Sequence, residues 1–263
     1  MPELPEVETV RRGLVPKLVG RRIVRLVQRR RDLRVPLPAR FAERVEGRTV
    51  RAIDRRAKYL LLRLDDGHTL VVHLGMSGRL WVVNAGDAPA AHDHFDLVLE
   101  HCLMRLTDPR RFGAVLWHDH QDGDVENHLM LRKLGVEPLE ERFTAKLLFE
   151  KTRGRSASIK QILLAGEIVV GVGNIYCSES LFRAGINPKT AAQRISLKRY
   201  QALEVAIRQV MKEAIAHGGS TLRDFVGADG KTGYFQQTYY VYDRAGEPCR
   251  ICQGTIRHIV QGQ

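Results

Sequence analysis

The sequence has no long hydrophobic run. Its longest apolar stretches, residues 59–62 and 168–172, fall far short of the roughly 20 residues a bilayer-spanning helix needs. Cysteine is scarce, with four in 263 residues and only Cys249 and Cys252 close together. That excludes a disulfide scaffold and points to a reducing cytoplasm. Aromatics are only 6 %, too few for the stacking platform of a generic RNA-binding sheet. The opening MPELPEVETV places acids where a secretory leader would place basic and then apolar residues. There is no internal repeat and no low-complexity tract. Hydrophobic residues reach 44 %, enough to bury a sizeable core, and the length suits two domains. What the chain has in excess is positive charge: 42 Lys and Arg against 30 Asp and Glu, a net +12. A surplus of that size suggests a polyanionic partner, although charge alone says nothing about chemistry.

The surplus is concentrated. Residues 21–63 hold fifteen Lys or Arg and only four acids, Asp32, Glu43, Glu46 and Asp54, which accounts for eleven of the twelve charges. The arginines are interleaved with strand-like apolar residues in RRIVRLVQRR and RTVRAIDRRAKYLLLRL. The pattern predicts strands with one buried face and one arginine-rich face, a surface suited to phosphates. A plain solvated basic face has the same composition.

Four stretches follow from periodicity. Residues 2–19 predict a helix: Pro5 suits its first turn, Glu6 and Glu8 complement the N-terminal dipole, and Val7, Val10 and Leu14 share a stripe that Gly20 closes. Residues 21–130 predict short strands broken by turns at 65–67, 84–86, 108–109 and 122–123, a sandwich or barrel. Residues 131–219 predict helices, one of them with an N-cap at Ser196 and an apolar stripe of Leu203, Ile207, Val210 and Ala214. Residues 220–263, rich in Gly, Thr and Tyr, predict a loop followed by hairpins. The domain boundary is expected at 125–140.

The N-terminus has chemical potential. With Met1 removed, the chain begins at Pro2, a secondary amine with a pKa of about 8 or below, against about 10.4 for lysine. Such an amine can attack an electrophilic carbon and form an iminium. Glu3 and Glu6 stand close by and can move protons. A retained Met1 would block the amine. An ordinary helix start with acids placed for the dipole has the same residues.

The string MPELPEVET…RRGL resembles the N-terminus of the formamidopyrimidine-DNA glycosylases, bacterial base-excision enzymes that remove oxidised purines. RRAKYLLL at 55–62, HLGMSGRL at 73–80, HDHFDL at 92–97, TDPRRFGA at 107–114, GVGNIYCSESLFRAGI at 171–186 and DGKTGYF with GEPCRIC resemble further family motifs, in family order and over nearly the whole chain. The resemblance implies an α+β fold. A helix plus two-sheet β-sandwich would occupy 2–130, a helical domain with a helix–two-turn–helix motif 131–225, and the end of a lesion loop with a zinc-ribbon hairpin 226–263. It implies a monomeric bacterial cytoplasmic enzyme acting on double-stranded DNA that contains 8-oxoguanine or a formamidopyrimidine, through a proline Schiff base and β/δ-elimination.

The resemblance also assigns residues. Pro2 is the nucleophile at the sugar C1′, Glu3 handles protons during base loss, Glu6 supports the site and Lys58 serves strand cleavage. Met76, Arg110 and Phe112 match the residues that fill the gap left by an extruded base. Arg111, His92, Arg155 and Asn174 match DNA contacts, Asn174 at a helix N-terminus after two glycines, where its side chain can also cap the helix. Residues 218–233 match the loop that closes over the everted base. Alternatives are the endonuclease VIII type acting on oxidised pyrimidines, which PELPEV and RRAKYL disfavour, and a catalytically impaired binder of damaged DNA.

Cys249 and Cys252 form a C-x2-C knuckle, half of the four ligands of one structural Zn2+. Only 11 residues follow Cys252, none of them Cys, and His258 is the local candidate for a third ligand. The ribbon is therefore expected to be incomplete, as if the chain were cut at Gln263. Cys102 and Cys177 read as small core residues. A metal site at His92-Asp93-His94 lacks a third ligand.

Overall fold

The computed structural model describes residues 2–84, 86–220 and 235–261. They fall into two compact units, 2–132 with 218–220, and 133–217 with 235–261. Among the described residues no helix is long and apolar enough to cross a membrane.

The first unit opens with helix α1 (Leu4–Leu18), capped at Glu3 with Pro5 in the first turn, where a missing N–H costs nothing. Val7, Val10, Leu14 and Leu18 are each at most 1 % exposed. They form the expected stripe, and burying each contributes roughly 2 kcal/mol. Eight strands follow: β1 (Ile23–Gln28), β2 (Val50–Arg56), β3 (Tyr59–Leu64), β4 (Thr69–His73), β5 (Arg79–Val83), β6 (Asp93–Leu99), β7 (Leu103–Thr107) and β8 (Ala114–His118), with a short helix α2 (Phe41–Val45) after β1. They pair into two four-stranded antiparallel sheets, ordered β1-β6-β7-β5 and β2-β3-β4-β8. Val7 and Leu14 of α1, Phe95 and Leu97 of one sheet and Leu60, Leu62 and Val72 of the other belong to one core cluster. This is the expected β-sandwich.

The strict alternation expected of β1 and β2 is interrupted. Each strand shifts register near its start, between Ile23 and Arg25 and between Val50 and Ala52. A bulge sets two residues against one and turns side chains off the pleat, which leaves Val24 55 % exposed. Several arginines are also engaged within the fold. Arg29 and Arg105 clasp Asp96, Arg48 pairs with Asp66, and Arg63 with Asp54. The basic stretch is thus partly scaffold and not one uniform phosphate face.

The second unit holds helices α3 (Ala145–Thr152), α4 (Ile159–Ala165), α5 (Asn174–Arg183) and α6 (Leu197–Ala216). Helix begins later than the periodicity suggested, at Ala145, because residues 131–144 form turns and one isolated bridge, Val136↔Val169. In α6 the Ser196 side chain accepts from the Arg199 N–H, and Leu203, Ile207, Val210 and Ala214 are fully buried. Glu179, on α5 and fully buried, accepts the N–H groups of Tyr240, Val241 and Tyr242 at 2.8–2.9 Å. One carboxylate therefore pins the following segment to the helix.

The hairpins expected at the end of the chain reduce, among the described residues, to one bridge, Pro248↔Thr255. The bonds from Gly246 N–H to Ile256 O and from Cys249 N–H to Gly254 O span too few residues to make strands. Cys177 is buried as expected, whereas Cys102 is half-buried in the turn between β6 and β7.

Candidate functional site

Pro2 is buried, Glu3 is 2 % exposed and Glu6 is fully enclosed. The Glu6 carboxylate accepts the Glu3 N–H at 2.8 Å on one oxygen, and the Ser220 N–H and Oγ at 2.8 and 2.9 Å on the other. Gly219 has a φ of 81°, and a Cβ there would lie 3.0 Å from Glu6 Oε1, so a larger residue is strained at this close approach. Glu6 thus fixes the backbone beside Pro2 and the root of the segment that follows Ser220. The rest of the expected lesion loop, and Met1, lie outside the described residues.

Glu8, two residues on, is held differently. Burial works against its charge, but hydrogen bonds from Arg11 and Arg12 and the charges of Arg11 and Arg55 outweigh it and hold the carboxyl down to about 2. Glu8 is a scaffold ion more than a dipole complement.

Lys58 sits at the second position of a two-residue turn between β2 and β3, where Arg56 pairs with Tyr59. Ala57 takes a left-handed φ of 55° there. Arg55 donates to the Ala57 carbonyl at 3.0 Å and pairs with Glu8 at 3.3 Å. One guanidinium thus ties the Lys58 turn to the helix that begins beside Pro2. His73 stands opposite Tyr59 in β4, their ring centroids 4.8 Å apart. Burial, with the positive charges of Lys58 and Arg34, holds His73 down to about 4 against the pull of Asp108. It is neutral at physiological pH.

Two sequence motifs meet as one clasp. Fully buried Asp108 accepts the Ser77 hydroxyl at 2.7 Å and the Gly113 N–H at 2.8 Å. Ser77 Oγ in turn accepts the Arg110 N–H at 3.2 Å. At Gly75, with φ 62°, a Cβ would fall 2.3 Å from the Phe112 carbonyl carbon. The loops 74–78 and 108–113 therefore interlock backbone to backbone. Their tips face outward: Met76 is 37 % and Phe112 45 % exposed, and the Arg110 guanidinium lies over the Phe112 ring at 4.9 Å. Arg111 is exposed and holds φ 56°. His92 is exposed too, and its carbonyl accepts the Asp108 N–H at 3.0 Å. The residues matched to void filling and two of those matched to DNA contacts, Arg111 and His92, thus cluster on one framework. Sequence reasoning missed its organisers, Asp108 and Ser77, although both lie inside the quoted motifs. It also missed Arg34, whose N–H donates to the Gly113 carbonyl at 3.2 Å.

Arg155 and Asn174 belong to the second unit. Arg155 is half-buried and pairs with Glu167 at 3.2 Å. Asn174 is not the cap of α5: Gly173 is, and Asn174 occupies the first helical position, exposed, with its carbonyl accepting from Ser178 Oγ. Gly173 brings no side chain to the helix start, which suits an approaching anion. Lys160 donates to Ser178 at 3.1 Å and adds charge there.

Cys249 is buried and Cys252 exposed. Backbone N–H groups of Cys252 and Ile251 point at the Cys249 sulfur and lower its pKa, as a thiolate knuckle requires. Among the described residues no third His, Cys, Asp or Glu atom completes a metal group with this pair, so His258 does not join them. The knuckle fits half of a four-ligand zinc set and no more.

Residues 1–115 match the formamidopyrimidine-DNA glycosylase N-terminal domain, and residues 134–226 match the H2TH domain of formamidopyrimidine-DNA glycosylase. A formamidopyrimidine-DNA glycosylase from Janthinobacterium sp. (strain Marseille) is 60 % identical over 263 residues, covering all of this chain and 96 % of the relative. A wild-type Lactococcus lactis Fpg (MutM) solved with DNA containing N7-benzyl-Fapy-dG superimposes with a TM-score of 0.92 at 32 % identity, covering 100 % of this chain and 96 % of the other. The same Lactococcus protein with abasic-site DNA gives 0.91 at 32 %, with the same coverage.

Proposed function

The chain belongs to the formamidopyrimidine-DNA glycosylase family, and on that premise we propose how its own residues carry out base-excision repair of oxidised purines in duplex DNA. The enzyme is a DNA glycosylase with abasic-site lyase activity. Pro2, freed of Met1, attacks C1′ of the damaged nucleotide, and the N-glycosidic bond breaks as the base departs. The amine loses its proton and the sugar ring opens, which leaves an iminium between Pro2 and C1′. Glu3, buried beside it, moves protons at the sugar. The iminium acidifies C2′–H, and loss of that proton expels the 3′ phosphate. A second elimination releases the 5′ phosphate. Lys58, tied to α1 through Arg55, assists strand cleavage as a cation or base.

Met76, Arg110 and Phe112 fill the space vacated by the flipped nucleotide. His92, Arg111, Arg155 and Asn174 contact the backbone. The work is done in the bacterial cytoplasm, where the DNA is. The observation that carries this reading is the enclosed Glu6 carboxylate, which accepts the Glu3 N–H beside Pro2 and the N–H and hydroxyl of Ser220 at the root of the expected lesion loop.

Borohydride trapping on an 8-oxoguanine duplex tests it, once mass spectrometry has established that Pro2 is N-terminal. The wild-type protein is expected to form a covalent adduct, and Pro2→Gly to lose most glycosylase activity while retaining DNA affinity. Undiminished base release by Pro2→Gly would overturn the assignment. We further propose that Cys249 and Cys252 are two ligands of one structural zinc. Zinc bound stoichiometrically and lost in Cys249→Ser supports this, and an unchanged zinc content in that variant refutes it.

A further inference from the structure

We propose that His68, Asp119 and His120 form a binding site for a divalent transition-metal cation at one end of the β2-β3-β4-β8 sheet. No sequence motif suggests it, since more than fifty residues separate His68 from the other two. Strand register brings them together. Thr69 of β4 pairs with His118 of β8, so the next residues outward, His68 and Asp119, leave the sheet side by side. His120 then begins the 3-10 turn His120–Asp122.

The ligand atoms converge. His68 Nδ1 and His120 Nδ1 are 3.2 Å apart, and Asp119 Oδ1 lies 3.6 Å from the first and 3.5 Å from the second. Zinc–nitrogen bonds of about 2.0–2.1 Å in a tetrahedron require ligand atoms about 3.3 Å apart. The three contacts therefore already approximate one face of that tetrahedron. Asp119 and His120 are 43 % and 50 % exposed at their side chains, so the remaining coordination faces water.

The surroundings orient the donors. His68 is flanked by the Trp117 ring at 4.9 Å and the His120 ring at 4.6 Å. Its other nitrogen, Nε2, looks toward Asp66 Oδ2 at 3.8 Å, and Arg48 holds that carboxylate at 2.9 Å. A carboxylate behind a ligating imidazole is the usual outer arrangement at metal sites. The His120 N–H now donates to His68 Nδ1 at 3.2 Å, and the Gln121 N–H to Asp119 Oδ1 at 2.9 Å. A cation would take over the first lone pair, whereas the carboxylate oxygen has a second one to offer. Arg44, stacked on Trp117 at 5.1 Å, is a further positive neighbour, set against Asp66 and Asp119. Two imidazoles and one carboxylate favour Zn2+, Co2+, Ni2+ or Cu2+ over Mg2+ or Ca2+. The His92-Asp93-His94 string offers no such site, because His94 Nε2 is bonded to the Asp108 carbonyl at 2.7 Å and Asp93 to Thr107.

The test uses the full chain carrying Cys249→Ser and Cys252→Ser, so that the C-x2-C pair does not contribute. Calorimetric titration with Zn2+ is expected to show one site per chain, accompanied by a Zn2+-dependent rise in Tm. Co2+ should give visible d–d bands without thiolate charge transfer. Adding His120→Ala or Asp119→Ala should weaken Zn2+ binding at least about tenfold and abolish the Tm rise. Both residues are half-exposed, so the fold, checked by circular dichroism, is expected to survive. Absence of Zn2+ binding in the Cys249→Ser, Cys252→Ser parent, or equal affinity and equal Tm shifts in parent and variants, would overturn the proposal.

Discussion

The two ends of strand β4 use the same kinds of residue to opposite effect. At one end His73 is packed against Tyr59 and kept neutral, and the loop after it locks onto residues 108–113 around the buried Asp108 carboxylate. Each Asp108 oxygen is met by a neutral donor from the fold. At the other end His68 meets Asp119 and His120 with its donors turned partly toward solvent. A closed polar network spends its hydrogen-bonding capacity on rigidity and leaves its tips, Met76, Arg110 and Phe112, as fixed projections. An open one keeps capacity for a ligand. Chemical composition alone does not separate the two; saturation of the donors and acceptors does.

Gly75→Ala should break the closed end most severely. Its φ of 62° and a Cβ position 2.3 Å from Phe112 backbone leave no room for a methyl group. The expected loss is about 3 kcal/mol or more, measured by urea unfolding, with lesion-DNA binding lost in step. Zn2+ binding by the folded fraction should persist, since His68, Asp119 and His120 lie beyond the opposite end of β4. A loss below about 1 kcal/mol would show that the two loops do not interlock.

Acid sharpens the same contrast. His73 has a folded pKa of about 4 against 6.5 for the ordinary side chain. The unfolded chain binds this proton more readily, so stability from keeping His73 neutral is fully present above pH 6.5. It is lost as pH falls from 6.5 through 4, at most about 3 kcal/mol. His73→Gln should flatten the stability profile across that window. A profile as steep as the parent's would mean that other groups set the acid sensitivity.

How far the sequence was legible follows the range of the interactions. The α6 stripe and its Ser196 cap depend on neighbours three or four residues away, and periodicity found them. The closed end was legible because its residues sit in contiguous strings, HLGMSGRL and TDPRRFGA, although the role of Asp108 as the hub was not, since a turn signal hides a carboxylate that bonds 31 residues away. Glu179 was invisible for the same reason: its partners are backbone N–H groups some sixty residues on, and backbone donors leave no mark in sequence. The His68 cluster depends on one strand register, which a single sequence does not specify. The strand bulges of β1 and β2 defeated simple alternation.

Arg111 gives the smallest effect and the cleanest separation of structure from binding. It holds φ 56° while its N–H donates to the Asp108 carbonyl at 3.2 Å. A residue with a Cβ loses roughly 1 kcal/mol in that conformation and glycine does not, although glycine also gains entropy when unfolded. Arg111→Ala and Arg111→Gly remove the same charge, so both should lower the slope of DNA affinity against salt by about 1. Only the glycine variant also relieves the backbone. It should be more stable than the alanine variant by a few tenths to about 1 kcal/mol. Equal stabilities would mean that the clasp imposes no strain at this position. An unchanged salt slope in both would remove Arg111 from the phosphate contacts while leaving its place in the turn intact.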